Sequence, residues 1–142
     1  MTRVPMDKVL LVAGALLFLL GLLQGAIVDL FVNPRMALSA HLTAVQSGTA
    51  IMVAGGIWSS VMHGPLLASI TRWTIITGMF GLWIALSVSA ATGASDALPL
   101  AGAGYSAAPG TERFVEGLVV VSSVVMVAGW ALLLSGLVRS KP

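Results

Sequence analysis

Within sixteen residues, "DLFVNPRMALSAHLTA" at 29–44, the chain gathers an acid, a base, a proline and a histidine between two strongly apolar runs. His41 has the widest chemical reach of these: a neutral imidazole either bonds a neighbouring helix or gives a ring nitrogen to a metal or haem iron. Spacing alone leaves both readings open. Glu116 and Asp29 are candidate proton donors or acceptors, because a carboxyl group near membrane depth is expensive and usually faces protein or a cavity. Asp29 and Arg35 also fit a plain ion pair across a turn. Tyr105 is the sole tyrosine and can orient an oxygen. Val45, Gly48, Met52 and Gly55 share one helical stripe with His41, a face suited to a flat ring or to another helix. Glu112 with Arg113, and Asp7 with Lys8, read as charges flanking helix ends. Gln24 and Gln46 read as amides that bond neighbouring helices. No Ser-His-Asp order, phosphate-binding glycine loop or paired-histidine spacing names a chemistry.

The elements that hold these residues follow from composition. With 142 residues, 58% hydrophobic and 8% charged, and a mean hydropathy of +1.02, the chain has too few charges to coat a water-facing exterior. Its solvent is lipid. The net charge of +2 rests on seven basic residues scattered singly, which gives no nucleic-acid footprint. The absence of cysteine excludes disulfides, thiolate ligands and a thiol nucleophile. Four apolar spans, at about 9–32, 37–61, 66–91 and 114–138, each suffice to cross a ~30 Å hydrocarbon layer. The first outruns the roughly 7–15-residue core of a secretory signal and reads as a retained helix. The fold class is therefore all-α, an integral membrane four-helix antiparallel bundle in a single domain. Pro34 is expected to end the first helix, and "HGP" marks a second tight turn. The long connection, 92–112, lies at one membrane surface or folds back onto the helix ends. Arg3, Lys8, Arg72, Arg139 and Lys141 fall on one side, Arg35 and Arg113 on the other. That bias predicts both termini in the cytoplasm, in a bacterial-type inner membrane. It also brings Asp29, Arg35, His41, Asp96, Tyr105, Glu112, Arg113 and Glu116 to one level.

"NPRMALSAHLTAVQSG", the loop "LPLAGAGYSAAPGTERFVEGLV" and the four-span length resemble the hydroxylaminobenzene mutase family, along nearly the whole chain. Members rearrange N-phenylhydroxylamine to 2-aminophenol. A more distant likeness is to styrene oxide isomerase, a trimeric four-helix membrane enzyme that holds haem b at subunit interfaces through a histidine on helix two. The resemblance implies a homotrimeric isomerase acting on an aromatic hydroxylamine that arrives from membrane lipid. It implies haem b ligated by His41 and flanked by Val45, Gly48 and Met52, with Glu116, Asp29 and Tyr105 assisting N–O cleavage. Arg35, Trp73 and Ser47 would then contact substrate. Ser47 stands where both families carry asparagine before the glycine, and Trp73 is the one match to an aromatic and acidic cluster on helix three.

Two other classes remain: a haem-carrying electron-transfer or accessory subunit, for which His63 would be a second ligand, and a small exporter. Exporters of that size carry their acid mid-way along the first helix, where Asp29 is not.

Overall fold

A computed structural model of the chain describes residues 7–139. Of the bases used for orientation, Arg3 and Lys141 lie outside the described residues. Four α-helices account for most of it: α1 Lys8–Gly25, α2 Pro34–Gly56, α3 Pro65–Thr92 and α4 Pro109–Val138. Among the described residues there is no strand. α1, α3 and α4 are long and apolar enough to cross a membrane. α2, at 23 residues, has the length but carries more polar groups, and it is the helix clasped between α1 and α3.

The helix starts are local chemistry. Asp7 caps α1, its carboxylate accepting from the backbone N–H of Val9 at 3.0 Å and Leu10 at 3.1 Å. α2, α3 and α4 each begin with proline, at Pro34, Pro65 and Pro109, whose fixed φ and missing N–H suit a first turn. Pro34 therefore opens α2 rather than closing α1. α1 stops at Gly25, and Val28–Leu30 forms a single 3-10 turn, so the first span is shorter than its apolar run. The chain is drawn back by Asn33, whose N–H donates to the Ala90 carbonyl of α3 at 2.9 Å. A second 3-10 turn, Trp58–Ser60, follows α2.

The helices form two hairpins, α1 on α2 and α3 on α4, joined by α2 against α3; α4 makes little contact with α1 or α2. Glycines set both seams. A Cβ at Gly48 would lie 2.6 Å from the Phe18 nitrogen and 2.7 Å from the Gly14 oxygen. Gly21 meets Ala44 and Val45 and Gly25 meets His41, so both glycines are used within the α1–α2 seam. Leu10, Leu17, Ile51, Ile75 and Leu133 fill one core. Met36, Ala37, Ala40, Leu86 and Ala90 fill a second, under Leu98 and Ala101 of the loop.

Two polar clusters tie the ends. At the α1 start, Asp7 is buried and pairs with Arg72 at 2.8 Å, whose guanidinium lies 5.7 Å over Trp58. Asp7 is thus a clamp rather than a flanking charge. At the other end the loop 93–108 folds back onto the helices. Asn33 donates to the Ala101 carbonyl at 2.9 Å and accepts from Met36 at 3.1 Å. Glu112 accepts from the N–H groups of Ser95 at 2.9 Å, Asp96 at 3.1 Å and Ala107 at 2.8 Å.

The seam gives a stability prediction. Gly48→Ala should cost about 1–3 kcal/mol by overpacking and lower the thermal midpoint followed by circular dichroism in detergent. Gly117→Ala, where nothing lies within 4 Å, should be neutral or raise it, since alanine favours a helix interior by about 0.5–1 kcal/mol. Equal midpoints for the two variants would contradict the packing account.

Candidate functional site

His41 sits two turns into α2, with its ring in the notch that Gly25 leaves in α1. A Cβ at Gly25 would fall 2.6 Å from Nδ1, so only glycine admits the imidazole there. Nδ1 lies 2.7 Å from the Gly21 carbonyl oxygen. A carbonyl can only accept, so Nδ1 carries the hydrogen and Nε2 keeps its lone pair. This is the arrangement by which metal-ligating histidines fix tautomer and ring orientation. The side chain is half-buried, at the edge of the α1–α2 seam.

The stripe below His41 is used for packing. Val45 lies against Gly21, Met52 against Gly14 and Gly48 against Phe18, so within one chain α1 covers the surface that a flat ring would need. The open surface of α2 is the adjoining one, where Leu38, Leu42, Gln46, Thr49 and Val53 are exposed. Ser47 is buried on the core side.

The loop brings Arg35 and Tyr105 together. The Arg35 guanidinium donates to the Ala103 carbonyl and lies 5.9 Å over the Tyr105 ring. Arg35 thus turns to the loop, and the expected Asp29–Arg35 ion pair is not formed among the described residues, whose ion pair is Asp7–Arg72 at the opposite end. Asp29 is exposed in the first 3-10 turn and Glu116 is exposed on α4. The buried carboxylate at this end is Glu112, which reads in sequence as merely interfacial. Trp73 lies at the far end, in an apolar groove of about 430 Å³ with Lys8, Val9, Val12, Ala13 and Ile76. Twelve residues of α1 separate that level from Gly25, about 18 Å along the axis. His63 is also remote: its Nε2 bonds the Leu132 carbonyl of α4 at 2.9 Å, so it does not pair with His41 in one chain.

Sequence reasoning missed three residues that build this end: Gly25, Asn33 and Glu112. The Asn-Pro pair is a readable N-cap signal; Gly25 and Glu112 carry none, because their partners come from other helices. Of the two glutamines, Gln24 behaves as expected, accepting from the Trp83 indole at 2.7 Å and donating to Ser87 at 3.0 Å.

Among the described residues, no three His, Asp or Glu side chains come together. A bare ion held by protein ligands alone is therefore not built here. One oriented imidazole with a free Nε2 suits a group that brings its remaining ligands with it, as haem does.

The sequence is similar to known proteins along nearly its whole length. The family profile of styrene oxide isomerase matches residues 6–138. Hydroxylaminobenzene mutase HabA of Ectopseudomonas oleovorans is 32% identical over 135 residues, covering 94% of this chain and 100% of that protein. Hydroxylaminobenzene mutase HabB of the same organism is 31% identical over 142 residues, 99% of this chain and 86% of that protein. No solved structure matches the chain significantly. With the profile spanning all four helices and both relatives matched along nearly the whole chain, the chain belongs to the styrene oxide isomerase family and is an enzyme of isomerase type.

Proposed function

We propose that this protein is a membrane mutase that rearranges N-phenylhydroxylamine to 2-aminophenol, the activity carried by the names of both mutase relatives. The observation in the chain that supports it most is the His41 tautomer, with Nδ1–H on the Gly21 carbonyl and Nε2 free. His41 would hold haem b through Nε2. When bound, that haem supplies a Lewis acid for the hydroxylamine oxygen.

Reactant and product are isomers. The N–O bond breaks, a C–O bond forms at the ortho carbon, and the proton lost from that carbon balances the one gained by nitrogen. No reductant or nucleotide is needed. The chain's part is to orient the substrate, exclude water and lend a proton to the oxygen as it departs, taken back once the C–O bond has formed. Asp29 and Glu116 are the proposed donors, with Tyr105 under Arg35 closing the loop side. Asp29 belongs to the turn between α1 and α2. α4 packs mainly on α3 and Glu116 is exposed on it, so on the proposed homotrimer Glu116 would approach His41 from a neighbouring copy. Lys8, Arg72 and Arg139 share one end of the bundle and Arg35 and Arg113 the other, a bias that supports the reading of both termini on the cytoplasmic side of a bacterial-type inner membrane.

Absorption spectroscopy tests the ligand. His41→Ala should lose the Soret band while the protein still inserts and assembles, and His63→Ala should keep it; identical spectra for wild type and His41→Ala would refute the ligation.

Kinetics test the donor. A general acid contributes about 10² to 10⁴ in rate, so Glu116→Gln or Asp29→Asn should lose on the order of two decades in kcat with the spectrum intact. If both variants turn over like wild type, neither carboxylate gives the proton. Native mass spectrometry in mild detergent should find three copies; a monomer would oppose the assembly.

A further inference from the structure

Two carboxylates are buried among the described residues, those of Asp7 and Glu112. Asp7 has a cation, the Arg72 guanidinium at 2.8 Å. Among the described residues Glu112 has none, and its chain neighbour Arg113 is exposed. Its charge is met by backbone N–H groups of the loop 93–108 alone, as a buried charge must be met by bonds of some kind.

The two oxygens of that carboxylate divide the loop between them. Oε2 accepts from Ser95 at 2.9 Å and Asp96 at 3.1 Å, on the limb that leaves α3. Oε1 accepts from Ala107 at 2.8 Å, on the limb that enters α4. One side chain thus ties both limbs, and residues 97–106 hang from the tie. Tyr105 closes that segment. Its carbonyl accepts from the Ser95 hydroxyl at 2.8 Å, and the Arg35 guanidinium, which donates to the Ala103 carbonyl, lies 5.9 Å over its ring. Arg35 stands in the first turn of α2, six residues before His41 and about 9 Å from its level along the axis.

We infer that Glu112 is a positioning residue: by closing both limbs of the loop on one carboxylate, it sets the Tyr105 ring against Arg35 at the loop-side edge of the His41 site. This rests on the proposed mutase reading, which gives Tyr105 its part in N–O cleavage. Only a group with two acceptor oxygens and no donor satisfies both limbs. Glutamine has the same shape and separates them: whichever limb its carbonyl oxygen keeps, the other meets an NH2 group, donor against donor.

Tyr105 is the sole tyrosine, so protein labelled with 3-fluorotyrosine gives one fluorine NMR line, readable in detergent without substrate or turnover. In wild type that line should stand apart from its position in the SDS-denatured protein. Glu112→Gln should move it most of the way to the denatured position while circular dichroism shows the helices retained, and Arg113→Gln should leave it in place. If Glu112→Gln does not assemble, Glu112→Asp, a methylene too short to reach both limbs, takes its place with the same expectation. An unmoved line in the variant that folds overturns the inference.

Turnover separates positioning from general support. Tyr105→Phe should lower kcat about tenfold, Glu112→Gln by no more than that, and the double variant should be no slower than Tyr105→Phe, since a residue acting through Tyr105 then has nothing to act on. Losses that multiply overturn the inference, as does a Tyr105→Phe that turns over like wild type. A wild type that leaves N-phenylhydroxylamine unchanged refutes the mutase reading, while a fluorine line that moves in Glu112→Gln still upholds the tie from Glu112 to Tyr105.

Discussion

In lipid, an apolar side chain gains little by moving from one apolar medium to another, so helices associate by how closely their backbones can approach. The α1–α2 seam obeys that constraint, and the rest of the site depends on it. Gly14, Gly21 and Gly25 on α1 face Gly48, Val45 and His41 on α2 at distances that leave no room for a Cβ. Close approach at Gly14 and Gly48 brings Gly21 within reach of the imidazole, and the hydrogen bond at 2.7 Å then selects one tautomer. A side chain at Gly25 would push the helices apart at the histidine and release both.

The second constraint is that buried polar groups be satisfied. The loop 93–108 meets it without regular structure: Asn33, Glu112, Ser89 and Ser95 together take up backbone groups that no helix or strand pairs. Each of these residues sits at a helix end or inside the loop, so capping and loop folding are one event. A long connection held in this way seals the loop-side end of the bundle and gives Arg35 and Tyr105 a defined position above α2.

Legibility in sequence divides along the same lines. Length and hydropathy locate four helices, because a span must cover the hydrocarbon whatever its neighbours do. Helix ends are harder. The apolar run continues to residue 32, yet α1 stops at Gly25, because Asn33 is bonded to α3 and Pro34 is needed at the start of α2. Charge alone could not separate Glu112 from Glu116, which are one turn apart. Only the loop's return over α4 buries the first and leaves the second exposed. Trp73 shows the limit of matching by likeness: it lies at the opposite end of α1 from His41. His41 itself was legible as a histidine out of place in lipid, but its free nitrogen was not, since the partner is a carbonyl that every helix carries.

The two hairpins are unequal, and the inequality bears on chemistry. α2 is covered on two sides, by α1 and α3, while α4 rests mainly on α3. The histidine is therefore held rigidly by its own chain while the strip beside it stays open toward lipid. On the proposed ligation, such seating favours catalysis because the imidazole needs no reorganisation when the substrate binds. An open apolar flank favours an aromatic substrate that partitions into the bilayer. On the proposed homotrimer a wall over His41 would come from a neighbouring copy, and the exposed valines of α4 are one apolar surface of this chain able to supply it. Fixing the proposed ligand within the chain and borrowing the wall from a neighbour would let four short helices build a water-poor site that they are too few to enclose alone.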